Sequence, residues 1–140
     1  YDSLQDSDKK PPNPYILAAD TVVCCGQKSL GKPENAEEAT KFLKQLSGAR
    51  HDVLGGIAVI APNGQHSVKL IKTSVKFKRL TSQDIENYIA SGEWDGKAGG
   101  YAIQGLAAAF IKSIHGSYTN IVGLSLYETP NMLIGLGYRP

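Results

Sequence analysis

Polar positions dominate the first fourteen residues, where Pro11, Pro12 and Pro14 interrupt any regular pattern. Such a stretch predicts a flexible polar lead. From Tyr15 the pattern changes. Residues 15–25 (YILAADTVVCC) are apolar and β-branched with one acid among them, and predict a buried strand. A Gly/Pro loop over 26–33 follows, ending Gly31-Lys32-Pro33. Ala36, Ala39, Phe42, Leu43 and Leu46 then recur at helical spacing. Asn35 can cap that helix with Glu38 three residues on, and Gly48 suits its end.

Two strand-like segments, His51 to Ala61 and Ser67 to Lys78, flank Asn63-Gly64, a strong short-range hairpin signal. A second helix is expected over Ser82 to Ala90, with Thr81 as cap, Asp84 as its box partner and Gly92 as its stop. Four glycines lie between Gly96 and Gly105. Ala107 to Ile114 reads as a strand. Pro130 in the last apolar segment either kinks a helix or sits in its first turn behind a Thr129 cap. The order strand, helix, hairpin, helix, strand, helix predicts an α/β domain over 15–140, a mixed β-sheet flanked by helices.

Composition narrows the class. The 140 residues, 41% apolar and 20% charged, suit one soluble globular domain. No apolar run is long enough to cross a bilayer, which argues against a membrane protein. The first residues lack the basic and apolar regions of a signal peptide. A formal net charge of +2 with scattered lysines gives no support for a nucleic-acid partner. Cys24 and Cys25 are adjacent, a poor geometry for pairing, and read as reduced thiols in a reducing, cytoplasmic setting. No Cys/His spacing suggests zinc.

Three places could carry chemistry. Asp20 is a carboxylate in an apolar strand, costly there unless paired, bonded or on a metal. Near a strand end it could bind a divalent cation or take a proton from water; alternatively it bonds a local amide through Thr21. Lys32 follows a glycine that permits close approach and precedes a stiffening proline, a setting in which an ammonium can meet a phosphate. The Gly96–Gly105 stretch holds Lys97, Gly99, Gly100 and Gln104. Its glycines permit close backbone approach, and Gln104 offers a donor and an acceptor to a planar ligand. The same stretch could equally be a mobile loop. His51, His66 and His115 show no metal spacing, and a structural hydrogen bond is the expectation for each.

Taken together, these segments resemble the Maf family of nucleoside triphosphate pyrophosphatases. The resemblance rests on Ala19-Asp20-Thr21-Val22-Val23, Gly31-Lys32-Pro33, Leu46-Ser47-Gly48, His51-Asp52-Val53, residues 88–93, residues 97–105, Ile114-His115-Gly116-Ser117-Tyr118 and residues 120–124, in that order, across roughly 16–138. It implies an inosine triphosphate pyrophosphatase-like fold, a divalent metal cation (Mg²⁺ or Mn²⁺), and cleavage of a nucleoside triphosphate to monophosphate and pyrophosphate. It also implies a homodimer and a link to septum formation.

By position, Asp20 resembles the catalytic acid and metal ligand, Lys32 the phosphate-binding lysine and Gln104 a residue beside the reacting group. Thr21, Lys97, Gly99 and Gly100 become substrate-binding candidates. Asp20-Thr21 and Ile103-Gln104-Gly105 resemble the branch acting on dTTP and UTP. The family's opening strand, its Ser-x-x-Arg-Arg segment and a downstream Glu have no counterpart in this sequence. The expectations are therefore an apparently missing N-terminal segment, an uncovered sheet edge or face, and, as an alternative function, nucleotide binding in a regulatory role without turnover.

Overall fold

The computed structural model describes residues 14–139. The polar lead falls outside them up to residue 13.

Among the described residues five strands build one sheet: β1 (Ile16–Cys25), β2 (Lys28–Leu30), β3 (Arg50–Ile60), β4 (His66–Phe77) and β5 (Ile111–His115). Their order is β2-β1-β3-β4-β5, and every described pair is antiparallel. The β3–β4 hairpin is the spine, in register from Arg50↔Lys76 to Ile60↔His66. Its turn uses the Asn-Gly signal as expected. Gly64 takes φ +89°, which side chains disfavour, and the Asn63 carboxamide oxygen accepts from the Gln65 amide at 3.0 Å.

The described residues also form four α-helices: α1 (Ala36–Leu46), α2 (Ser82–Ser91), α3 (Tyr118–Val122) and α4 (Glu128–Gly135). The Asn35 side chain caps α1 by accepting from the Glu38 amide at 2.9 Å, while the Glu38 carboxylate turns to the Glu34 amide rather than closing a box. At α2 the box closes both ways between Thr81 and Asp84. Those Thr81 bonds, the backbone amide above all, hold the Asp84 carboxyl below its usual range.

Alternation divides the sheet faces. One face carries Val23, Val53 and Val75, which join Leu43, Leu46, Phe77, Tyr88 and Phe110 in the larger core. Farther along it, Ile57 and Val59 pack with Met132 of α4 in a second cluster. The opposite face carries Ile16, Val22, Ile60, Val68 and Leu70, all exposed, Leu70 to 71%. The expected buried strand at 15–25 is thus corrected. β1 is exposed on both faces over Ile16–Asp20: one face has no cover among the described residues, Leu17 and Ala19 on the other face are exposed as well, and only its last three residues pair with β2.

Three local expectations also shift. The 26–33 loop contains β2. The segment expected as a strand from Ala107 begins as a 3₁₀ turn over Leu106–Phe110 and extends only at Ile111. Thr129 does not cap the last helix: Pro130 is its third residue, where an amide hydrogen has no helical partner to lose. The neighbouring Tyr127 supplies no side-chain cap, and the Glu128 amide instead donates to the Ser125 hydroxyl at 3.2 Å.

A buried asparagine joins α3 to the sheet between the two core clusters. Asn120 Nδ2 lies 3.0–3.2 Å from Val53 O, Ile71 O and Thr73 Oγ1. Its carboxamide oxygen rests on Gly55, where an added Cβ would meet it at 1.9 Å. Asn120→Ala is expected to cost roughly 2–3 kcal/mol by orphaning buried carbonyls. A thermal melt should show the midpoint several degrees lower, and an unchanged midpoint would refute this role.

Candidate active site

The cleft forms where the Gly-rich loop settles against the end of β1. Gly99 makes this possible. It adopts φ +71°, and an added Cβ would stand 3.0–3.2 Å from three Val23 side-chain atoms. Its amide donates to Gly31 O at 3.0 Å, tying the loop to the turn that carries Lys32. Gly100, at φ +84°, is held by the Tyr88 hydroxyl, which donates to its carbonyl at 2.9 Å. Tyr101 turns inward and shares a 2.5 Å hydrogen bond with His51 Nε2, its direction following the imidazole tautomer. Both rings meet Phe77 edge-on. At the far end, the Glu93 carboxylate accepts the Leu106 amide at 2.9 Å. Four tethers therefore fix a loop that sequence left open as a mobile segment.

The result is a cleft of about 340 Å³. Asp20, Thr21, Lys32, Lys97 and Gln104 line it together, from four separate places in the chain. Gly99 and Gly100 do not line it: they are buried beneath, and shape the loop. Apolar walls come from Val23, Val53, Ile103, Ile121 and Val122. Sequence reasoning missed that wall, since α3 was not anticipated and Ile121 and Val122 look like ordinary core residues.

Asp20 is exposed, so it avoids the desolvation cost that drew attention to it. Its Oδ1 accepts the adjacent Thr21 amide at 2.9 Å, the local bond foreseen as one alternative. That amide must point away from β3, toward the open edge of β1. The carboxylate thus sits at the sheet edge with capacity for further partners, while also facing a cleft. Lys32 and Lys97 are exposed and bring positive charge to the same cleft. The donor set suits a hard divalent cation that keeps water and takes oxygens from a bound phosphate. Among the described residues no cluster of three His, Cys, Asp or Glu side chains could ligate a metal by itself.

Burial sets the protonation of the supporting residues. His51 is 1% exposed, and desolvation lowers its pKa from 6.5 to about 4 against a weaker opposing pull from Asp52. The Tyr101 phenol is pushed up by burial, and the Tyr88 phenol is pushed up to about 12, first by burial and then by the charge of Glu93. Both hydroxyls stay protonated, and Tyr88 remains a donor to the loop.

Comparison with known proteins now fixes the class. The Maf-like protein family model matches residues 3–136, and the chain belongs to that family. A dTTP/UTP pyrophosphatase of Paramagnetospirillum magneticum is 56% identical over 129 residues, covering 92% of this chain and 68% of the relative. One from Caulobacter vibrioides is 52% identical over 131 residues, covering 94% and 68%. One from Rhizobium meliloti is 56% identical over 124 residues, covering 89% and 60%. The chain thus spans about two thirds of the length of these relatives.

The His51 environment predicts an acid-sensitive fold. A histidine held neutral stabilises fully above pH 6.5, and the contribution is lost as pH falls toward 4, because the unfolded chain takes up the proton first. The loss amounts to about 3 kcal/mol over that window. Denaturant titrations at several pH values should show it in the natural chain and not in His51→Gln. Equal pH slopes in the two proteins would contradict the assignment.

Proposed function

We propose that this chain carries the active site of a pyrophosphatase that hydrolyses dTTP or UTP to the monophosphate and pyrophosphate. One observation carries the reading. The carboxylate of Asp20, two lysine ammonium groups and the Gln104 carboxamide line a single cleft beside an apolar wall. Family membership and the names of the relatives support the same chemistry.

Each side chain has a task that follows from its chemistry. Lys32 and Lys97 hold the phosphates and stabilise the charge that grows on the leaving pyrophosphate. Asp20 receives the proton of the attacking water, and its oxygens would also hold a divalent cation. A bound Mg²⁺ or Mn²⁺ supplies charge neutralisation of the triphosphate and a more acidic water. Gln104 orients the reacting group. A water oxygen bonds to phosphorus as the bridging α–β bond breaks, and pyrophosphate departs with the electron pair. Thr21 and Gln104, with Ile103 between the loop and the wall, are the positions we assign to base preference.

Two further readings accompany this one. We read the protein as a homodimer, on the family resemblance and on the exposed apolar face of Val22, Ile60, Val68 and Leu70. We place it in the cytoplasm, consistent with the free thiols of Cys24 and Cys25. The rival function is nucleotide binding in a regulatory role without turnover. It is favoured by a cleft lining with one carboxylate and no arginine among the described residues.

A pyrophosphate-release assay on dTTP and UTP with Mg²⁺ separates the two. Turnover should need the metal and fall at least about a hundredfold in Asp20→Asn and in Lys32→Ala. Tight nucleotide binding with no pyrophosphate from the full natural chain would establish the rival. Unchanged rates in both variants would remove these residues from the mechanism.

A further inference from the structure

Gln104 is exposed in the cleft, and nothing in its own side chain explains how it would hold one orientation. The explanation lies two residues on. Glu93, just past the end of α2, sends its carboxylate across to the Leu106 amide at 2.9 Å. The carboxylate lies so close over Gly105 that an added Cβ would approach its oxygen to 2.1 Å and its carbon to 3.2 Å. The Gly105 amide meanwhile donates to Ala102 O at 3.1 Å, closing a tight turn with Gln104 at its outer corner. The turn is thus formed by its own backbone and seated on Glu93.

A second contact from the same helix acts on the other end of the loop. Tyr88 donates to Gly100 O, and the nearby negative charge of Glu93 helps keep that phenol protonated. Glu93 itself is fixed by its amide, which donates to the Ser91 hydroxyl at 3.2 Å. It does not line the main cleft, although it borders an adjoining surface pocket with Lys97 and Gln104.

We infer that Glu93 is a positioning residue for Gln104: its carboxylate anchors the Gly105–Leu106 backbone and thereby sets the direction of the Gln104 carboxamide in the cleft. This rests on the pyrophosphatase reading for its kinetic consequence, although the tether itself does not. A group that aligns the reacting phosphate acts in the transition state, whereas Lys32 and Lys97 bind the phosphates in the ground state as well. Loss of the tether therefore appears in kcat and leaves KM nearly alone. A glutamine at position 93 keeps an acceptor oxygen of the same reach.

The experiment uses the full natural protein and four variants: Glu93→Ala, Glu93→Gln, Gln104→Ala and the Glu93→Ala/Gln104→Ala pair. With dTTP and Mg²⁺, Glu93→Ala should lower kcat about tenfold or more with KM within about twofold, and Glu93→Gln should recover most of the loss. In the Gln104→Ala background, removing Glu93 should add little, because the residue acts through a side chain already gone. Amide hydrogen exchange without nucleotide gives an independent reading: Leu106 should exchange faster in Glu93→Ala and not in Glu93→Gln. Multiplicative losses in the double variant, or a rise in KM alone, would overturn the positioning role. Unaltered Leu106 exchange in Glu93→Ala would overturn the tether. Absence of turnover in the unmutated protein would instead defeat the pyrophosphatase reading, with exchange still judging the tether.

Discussion

The cleft depends on one close approach, the seating of Gly99 on Val23. Strand β1 would otherwise be an open-edged ribbon with a carboxylate on it. The loop can settle there only because position 99 has no side chain and accepts a positive φ. Once seated, its amide reaches Gly31 O, so the Lys32 turn and the Lys97–Gln104 loop share a wall. Four separated chain positions then converge on one space. Removing this contact would leave each candidate residue on its own element with no common ligand to act upon.

The loop is over-determined in a way that suits a catalytic role. Tyr88, His51 and Glu93 grip it from α2, from β3 and from the end of α2, each by a hydrogen bond to a different part of the loop. Two of these anchors, Tyr88 and His51, are buried, and desolvation keeps both neutral: the phenol holds its proton and the imidazole takes up no second one. Such supporting residues hold reactive side chains near a productive geometry without touching the substrate. On the far side, Asn120 fastens α3 to β3 and β4, which places Ile121 and Val122 as the apolar wall. The cleft lining combines charged and polar groups with apolar ones. That combination suits a ligand that carries both phosphates and a base.

Much of this was legible in sequence where local rules decide the outcome. The Asn63-Gly64 hairpin, the Asn35 and Thr81 caps and the Gly92 stop follow from backbone preferences that neighbours do not override. Asp20, Lys32 and Gln104 were legible as chemistry, and their meeting was implied by resemblance. What sequence hid were contacts set by distance in space. The Asn120 clamp, the Glu93 tether and the exposure of β1 each depend on what lies across the fold. The apolar run at 15–25 predicts burial by composition, yet burial requires covering layers, and the first half of β1 is exposed on both faces. Gly99 and Gly100 illustrate the same limit. Glycines that permit ligand approach and glycines that permit packing look alike until a neighbour such as Val23 is seen.

The central claim is that the Asp20–Lys32–Lys97–Gln104 cleft receives the triphosphate. The most direct measurement is a crystal structure of the full natural protein with Mg²⁺ and a dUTP analogue whose α–β bridge is an imido group. The account predicts phosphates against Lys32 and Lys97, an Asp20 oxygen on the metal, and the base toward Ile121 and Val122. Phosphates bound elsewhere, for example at the basic concavity of Lys76, Lys78, Arg79 and Lys112, with this cleft left to solvent, would contradict it.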